Sequence, residues 1–291
     1  MAQSYKQNPK LQEPYDTIFI GSGMGSLAAA ALLAKEGQRV LLLEQHYTPG
    51  GYTHVFKRKG YEWDVGIHYI GEMQRKNSAM FKLFGYITDG QLKWADMGEV
   101  YDRIFLGKKS YDLVKGTDNF KKQLKAYFPE ETDAIDAYVD LIFKANRTGG
   151  PFYMSKAIPE FVNRLVGTFM KRPFLKYADR TTYEVLKELT SDETLIRVLC
   201  GQYGDYGLPP KQSSFIMHAT LVRHYFDGGS FPIGGSSQIV KTVEAVIEQA
   251  GGSILVKAPV KEIQTENNKA IGVEMEDGRR IGAKHVVSGA G

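Results

Sequence analysis

Residues 15–45 of this 291-residue chain read YDTIFIGSGMGSLAAAALLAKEGQRVLLLEQ and combine apolar runs with a glycine-rich turn. The apolar, β-branched run at 17–20 predicts a short buried strand. Small residues and leucines at 27–35 predict a helix that ends at Gly37, and Val40–Leu43 predicts a second buried strand. The order strand, helix, strand is a βαβ unit. It predicts an α/β fold with a Rossmann-type parallel sheet.

The turn between the first strand and the helix is rich in glycine. Gly21 permits a tight turn, and Gly23 lets the backbone approach a diphosphate at the free amides of the helix N-terminus. The third glycine of a G-x-G-x-x-G fingerprint would fall on Ser26, which adds a small side chain and a further donor. Glu44 lies 23 residues after Gly21, where a carboxylate accepts hydrogen bonds from a ribose. The predicted dinucleotide site comprises Gly21, Ser22, Gly23, Met24, Gly25, Ser26, Glu44 and Gln45.

A glycine pair, Gly50 and Gly51, follows within residues 46–71, HYTPGGYTHVFKRKGYEWDVGIHYIG. A nicotinamide domain has no evident use for such a pair, whereas flavoproteins fold this segment back over FAD. The fingerprint, the terminal Glu44, the glycine pair and WDVGIHYIG together resemble the phytoene desaturase, carotenoid isomerase and retinol saturase superfamily. The last stretch is most similar to the retinol saturase branch. The resemblance implies FAD as cofactor, with Gly50 and Gly51 added to its site.

The C-terminal residues fit the same resemblance. FPIGG at 231–235 precedes an amphipathic helix, and residues 253–291 predict strands with a hairpin that turns at Asp277 and Gly278. In the superfamily, the valine matching Val260 meets the adenine, and the final strand, followed here by Gly289, rejoins the FAD sheet. We therefore expect a discontinuous FAD-binding domain at 1–75 and 231–291, and an inserted, mainly helical substrate or cap domain at 76–230.

Superfamily members continue beyond the match with a segment near the flavin ring. We therefore expect the second part of the FAD-binding domain to be incomplete in this chain. A further C-terminal segment or a second chain would then complete the site.

The segment 151–180 combines cations with aromatic residues. It holds six lysines and arginines against two acids, a net charge of +4 that equals the charge of the whole chain. Such a stretch fits a peripheral contact with an anionic membrane, and it equally fits a solvated helix with aromatic residues in the core. No recognised nucleic-acid motif accompanies it, so no nucleic acid is expected.

Other function classes lack support in the sequence. The histidines lack the spacing of a metal site, and no Ser/His/Asp or Cys/His set is defensible, so no metal and no hydrolase chemistry are expected. Cys200 is the single cysteine, which excludes a disulfide framework. The sequence shows neither a signal peptide nor a transmembrane run, and predicts a cytoplasmic protein, peripheral on a membrane if 151–180 binds lipid.

The resemblance implies an FAD-dependent oxidoreductase that reduces or isomerises double bonds of a retinoid- or carotenoid-like apolar polyene. Both reactions need a proton donor. His68 and Tyr69 are the candidates, because imidazole and phenol act as acids. Their alternative role is structural, as hydrogen-bonded residues beneath the FAD domain. Two other functions remain open: a flavin amine oxidase-like enzyme, and a non-catalytic flavin-binding or partner-binding fragment.

Overall fold

The computed structural model describes residues 2–7, 11, 14–67 and 69–290. The chain forms two compact units. The first comprises Met1–Tyr69, Lys76–Ala95 and Phe231–Gly291, and the second comprises Ile70–Arg75 and Asp96–Ser230.

The strands of the described residues are β1 (Gln3–Ser4), β2 (Tyr15–Ile20), β3 (Val40–Leu43), β4 (Val55–Arg58), β5 (Tyr61–Asp64), β6 (Ile70–Gly71), β7 (Trp94–Asp96), β8 (Val100–Leu106), β9 (Lys109–Val114), β10 (Gly229–Pro232), β11 (Ser253–Val256), β12 (Val260–Glu266), β13 (Lys269–Met275) and β14 (Arg280–Ser288). The α-helices are α1 (Met24–Lys35), α2 (Ala79–Ile87), α3 (Thr117–Tyr127), α4 (Thr132–Arg147), α5 (Gly149–Ala157), α6 (Glu160–Ala178), α7 (Thr182–Leu189), α8 (Glu193–Leu199), α9 (Phe215–Tyr225) and α10 (Ser237–Gln249).

The first unit is built on a seven-stranded sheet in the order β1-β11-β3-β2-β14-β13-β12. The first five strands run parallel, and β12, β13 and β14 form an antiparallel meander. Every residue of β3 is buried, as expected of a parallel strand covered on both faces. The predicted Rossmann-type α/β fold is confirmed.

Helix α1 packs against β2, β3 and α10. Its contact face is made of small residues, including Ala30, Ala31 and Ala34, all buried, so the helix lies close to the sheet. Helix α10 contributes the buried side chains of Ile239, Val243, Val246 and Ile247, the stripe that its spacing predicts. The sequence therefore predicts both α1 and α10 correctly.

Residues 76–95 differ from the predicted domain division, which placed them in the cap. In the structure they belong to the first unit, because α2 packs on α1. Lys35 of α1 donates to the carbonyl oxygen of Tyr86 at 3.0 Å and pairs with Asp89. The sequence offered no sign of this long-range contact.

The second unit is mainly helical, as the sequence predicts, with a core formed by α3, α4, α7 and α9. Thr181 caps α7 in a capping box with Glu184, as the pattern of residue types suggests. The antiparallel hairpin of β8 and β9 was missed by the sequence analysis. It turns at Gly107, which has a positive φ of 62°.

Candidate functional site

The register of the parallel strands brings the predicted cofactor residues to one edge of the sheet. Ile20 of β2 lies beside Leu43 of β3 and beside Ser288 of β14. Each strand ends at that residue, so the next residues along the chain, Gly21, Glu44 and Gly289, meet at the carboxyl edge. This is the edge at which open α/β sheets bind their ligands.

The N-terminus of α1 offers backbone donors at this edge. Gly23 is the N-cap residue and supplies no side chain to the first amides of the helix. The first helical amide that donates within the turn is that of Leu27, to the carbonyl of Gly23 at 3.0 Å. The preceding amides and the helix dipole therefore favour an anion such as a diphosphate. Gly21 has a φ of +86°, which glycine adopts without strain.

Glu44 is buried and held by three hydrogen bonds. The amide and hydroxyl of Ser22 donate to Oε2 at 2.9 and 2.6 Å, and the amide of His46 donates to Oε1 at 2.8 Å. Burial alone would raise the pKa of this carboxyl group, but the bonds from Ser22 and His46 outweigh it and lower the pKa below its usual value. Glu44 is therefore a carboxylate at neutral pH. Oε1 retains acceptor capacity for a hydroxyl group.

Ser22 joins the fingerprint turn to the glycine pair. Its hydroxyl donates to Glu44 and accepts from the amide of Gly50 at 3.0 Å. Gly50 has a φ of +113°, and a Cβ there would lie 2.4 Å from Cγ2 of Val240. A Cβ on Gly51 would lie 3.2 Å from Cα of Gly23. Both positions need glycine, the first for backbone conformation and packing, the second for close approach of two backbone segments.

These residues surround a cavity of about 720 Å³ within the first unit, a volume typical of ligand sites. Ten of the twelve predicted cofactor residues line it: Gly21, Ser22, Gly23, Met24, Glu44, Gln45, Gly50, Gly51, Val260 and Gly289. Gly25 and Ser26 do not line it. Ser26 is buried. A Cβ built on Gly289 would lie only 2.1 Å from the Oγ of Ser26, so this serine packs in the space between α1 and the end of β14.

The cavity also has lining residues that the sequence analysis missed: Tyr52, Thr53, Ile67, Ala258 and Ala290, with Ile20 and Leu43 at the strand ends. Ala258 is brought there by its amide, which donates to the carbonyl of Glu44 at 2.8 Å. Tyr52 is 79% exposed and directly follows the glycine pair. Its position after Gly51 is the one signal that could have identified it.

The two predicted proton donors are placed differently. His68 lies outside the described residues. Tyr69 is half-buried and is not part of the cavity lining. Their role in catalysis stays a prediction.

A family model for flavin containing amine oxidoreductases matches residues 27–291, most of the chain. The chain belongs to this family. Membership confirms the prediction of FAD as cofactor and agrees with the predicted superfamily resemblance.

Relatives and solved structures agree with this family. The chain is 38% identical over 97% of its length to an all-trans-retinol 13,14-reductase of Danio rerio. It is 28% identical over 96% of its length to prolycopene isomerase 1 of an Oncidium hybrid cultivar. It spans 48% of the length of each of these two relatives. The fold is similar to that of cyclohexylamine oxidase from Brevibacterium oxydans, with a TM-score of 0.61, 20% identity, and 94% and 57% of the two chains covered.

The residues of the cavity fit FAD. The uncapped N-terminus of α1 suits the diphosphate, the Glu44 carboxylate suits the ribose, and Gly51 keeps the space in front of Gly23 free of a side chain. Val260 lies on the cavity wall, where the superfamily resemblance assigns the adenine contact.

The described residues outside this cavity offer no comparable set of functional groups. No cluster of three or more potential metal ligands occurs in that part of the chain. His218, in the second unit, is fully buried beside Tyr138, whose hydroxyl lies 2.8 Å from Nε2, and burial lowers the pKa of His218 to about 3. Cys200 is buried, and burial raises the pKa of its thiol to about 12, so it is not a nucleophile.

Proposed function

We propose that this protein is an FAD-dependent oxidoreductase that reduces or isomerises double bonds of a retinoid- or carotenoid-like polyene. The observation that carries the proposal is the similarity to a retinol 13,14-reductase and to a prolycopene isomerase over nearly the whole chain. The names of both relatives denote chemistry at carbon–carbon double bonds of apolar polyenes. The cavity with Glu44 and the glycine pair supports a flavin cofactor for such chemistry.

Bound FAD supplies the redox chemistry of the family, and the protein supplies binding, orientation and exclusion of water. In this chain the first turn of α1 would hold the diphosphate, and Glu44, fixed by Ser22 and His46, would hold the ribose. Gly50 and Gly51 would let the chain cross close to the cofactor. Reduction of a double bond also needs a proton, and His68 and Tyr69 are the proposed donors.

The test is product analysis with retinol and with a carotenoid, using the protein loaded with reduced FAD. A saturated or isomerised product is expected. Replacing the true proton donor, by His68→Phe or Tyr69→Phe, should slow turnover by about 10²- to 10⁴-fold while FAD stays bound. Full activity in both variants would remove these two residues from the mechanism.

Amine oxidation is the second candidate function. The description of the matching family favours it. Consumption of a simple amine with release of hydrogen peroxide, and no change in any polyene, would replace the first proposal by this one. Binding of FAD with turnover of neither substrate would support the third reading, a non-catalytic flavin-binding fragment.

The substrate side of the site is also part of the proposal. The chain spans about half the length of the two relatives named for polyene chemistry. We propose that polypeptide corresponding to their other half, in the same chain or in a second one, forms the part of the substrate site that these residues do not supply. A cytoplasmic location stays a prediction. In the described residues no helix is long and apolar enough to span a bilayer.

A further inference from the structure

Helix α6 of the second unit carries an apolar ridge on its outward face. Phe161, Leu165 and Phe169 recur every four residues and share one side of the helix, where they are 73%, 82% and 84% exposed. The buried residues of α6, Gly167 and Phe174, lie on the opposite side. A helix packed on a protein core normally shows polar residues on its outward face. This helix shows two phenylalanines and a leucine there.

Helix α5 carries further exposed apolar side chains. It packs on α6 through Phe152, whose ring stacks on Phe174 with centroids 3.9 Å apart. Tyr153 and Met154 remain 65% and 58% exposed. Single exposed apolar residues are ordinary on protein surfaces, but Phe161, Leu165 and Phe169 lie together on one side of α6 and form a continuous apolar ridge.

Cations surround this surface. Along α6 the side of the apolar ridge continues into Arg172 and Lys176, eleven and fifteen residues after Phe161, and Arg164 and Lys171 flank it. Phe169, Pro173 and Leu175 form with Arg172 and Lys176 a shallow hollow of about 720 Å³, bordered by Asp179. The pairing of Arg164 with Glu160, at 3.6 Å between highly exposed groups, neutralises little.

We propose that α6 docks this protein on an anionic lipid bilayer. The apolar ridge would enter the boundary between headgroups and acyl chains, and the cations would contact lipid phosphates, the arrangement of interfacial helices. A second copy is the less favoured occupant, because two surfaces that each carry the +4 of residues 151–180 repel each other. Docking through α6 does not depend on the polyene chemistry.

The test is co-sedimentation with vesicles of phosphatidylcholine, alone or with about one quarter phosphatidylserine. Binding to the anionic vesicles is expected, with a loss of at least about 10-fold between about 0.05 and 0.5 M salt, because salt screens the cations. The variant Phe161→Ser/Leu165→Ser/Phe169→Ser should lose about 10-fold or more on anionic vesicles. The variant Arg172→Glu/Lys176→Glu should lose at least as much.

Matched controls lie on the β8–β9 hairpin of the same unit. Phe105 is 69% exposed, and Lys108 and Lys109 are exposed at the turn. Phe105→Ser and Lys108→Glu/Lys109→Glu should bind vesicles as the unaltered protein does. Far-ultraviolet circular dichroism and melting temperature should be unchanged in every variant, since all the replaced side chains point outward.

Three results would overturn the proposal. The first is absence of binding to anionic vesicles. The second is binding that the ridge variant and the charge variant retain in full. The third is self-association in sedimentation velocity that the ridge variant abolishes while vesicle binding is absent, which would make the ridge a contact between protein chains.

Discussion

Replacing Glu44 with glutamine tests the electrostatics of the proposed ribose site. The carboxylate accepts from the amide and hydroxyl of Ser22 on Oε2 and from the amide of His46 on Oε1. Glutamine has the same shape but one acceptor oxygen. In its best orientation the oxygen takes the place of Oε2, and the NH₂ group then faces the amide of His46, donor against donor.

The expected cost follows from these contacts. One charge-assisted bond is lost, worth about 1.5–3 kcal/mol, and the two bonds from Ser22 become neutral and lose roughly half their strength. We expect Glu44→Gln to lower the free energy of unfolding at pH 7 by about 3 kcal/mol. The affinity for FAD should fall by about 10-fold, because a neutral amide holds a ribose hydroxyl less strongly than a carboxylate does.

The pH dependence of the unfolding free energy distinguishes loss of the Glu44 charge from a packing defect. The pKa of Glu44 is lower in the folded chain than its ordinary value of 4.5, so its stabilisation is present above pH 4.5 and is lost as pH falls through the folded pKa. The difference between Glu44→Gln and the unaltered protein in urea unfolding should therefore shrink in acid. Glu36→Gln, at the exposed end of α1, is the matched control and should change stability little. A stability difference that is the same at pH 7 and in acid would show that the charge of Glu44 is not its source.

Three further predictions follow from the glycine pair and from the second unit. Gly50→Ala should lower the free energy of unfolding, measured by urea titration, by about 2–5 kcal/mol, because Gly50 has a φ of +113° and a Cβ there would clash with Val240. A loss below about 1 kcal/mol would contradict this packing. Gly51→Ala, at a φ of +55°, should lower the free energy of unfolding by only about 1–2 kcal/mol. Its affinity for FAD, measured by fluorescence titration, should fall by about 10-fold or more, and an unchanged affinity would place the cofactor elsewhere. Because the pKa of His218 is about 3 in the folded chain and higher in the unfolded chain, stability should decline from pH 6.5 towards 3 by up to about 1.4 kcal/mol per pH unit, and His218→Gln should remove that share of the slope.

Local sequence patterns predicted the elements that local forces determine. The strand Val40–Leu43 has the bounds that its apolar run predicts, and β13 and β14 pair around a turn in which Gly278 has a positive φ. In each case neighbouring residues supply the interaction, so a short window of sequence contains the whole signal.

Other features depend on contacts between residues far apart in the chain. Ser22 bridges Glu44 and Gly50, 22 and 28 residues away, and no local pattern indicates a hydroxyl with two such partners. Ser26 replaces the third fingerprint glycine and fits because Gly289 opposite it has no side chain. The attachment of α2 to α1 rests on contacts of Lys35 with residues more than fifty positions away. Such features appear only once the strands are in register.

A comparison of FAD and NAD binding to this protein tests which dinucleotide the cavity of the first unit holds. Equilibrium titration by fluorescence, with FAD and NAD in separate experiments, measures both affinities for the unaltered protein and for Glu44→Gln. We expect FAD to bind, to bind more tightly than NAD, and to bind about 10-fold more weakly to Glu44→Gln. Binding of NAD without FAD, or FAD affinity that is the same in both proteins, would contradict the assignment of this cavity.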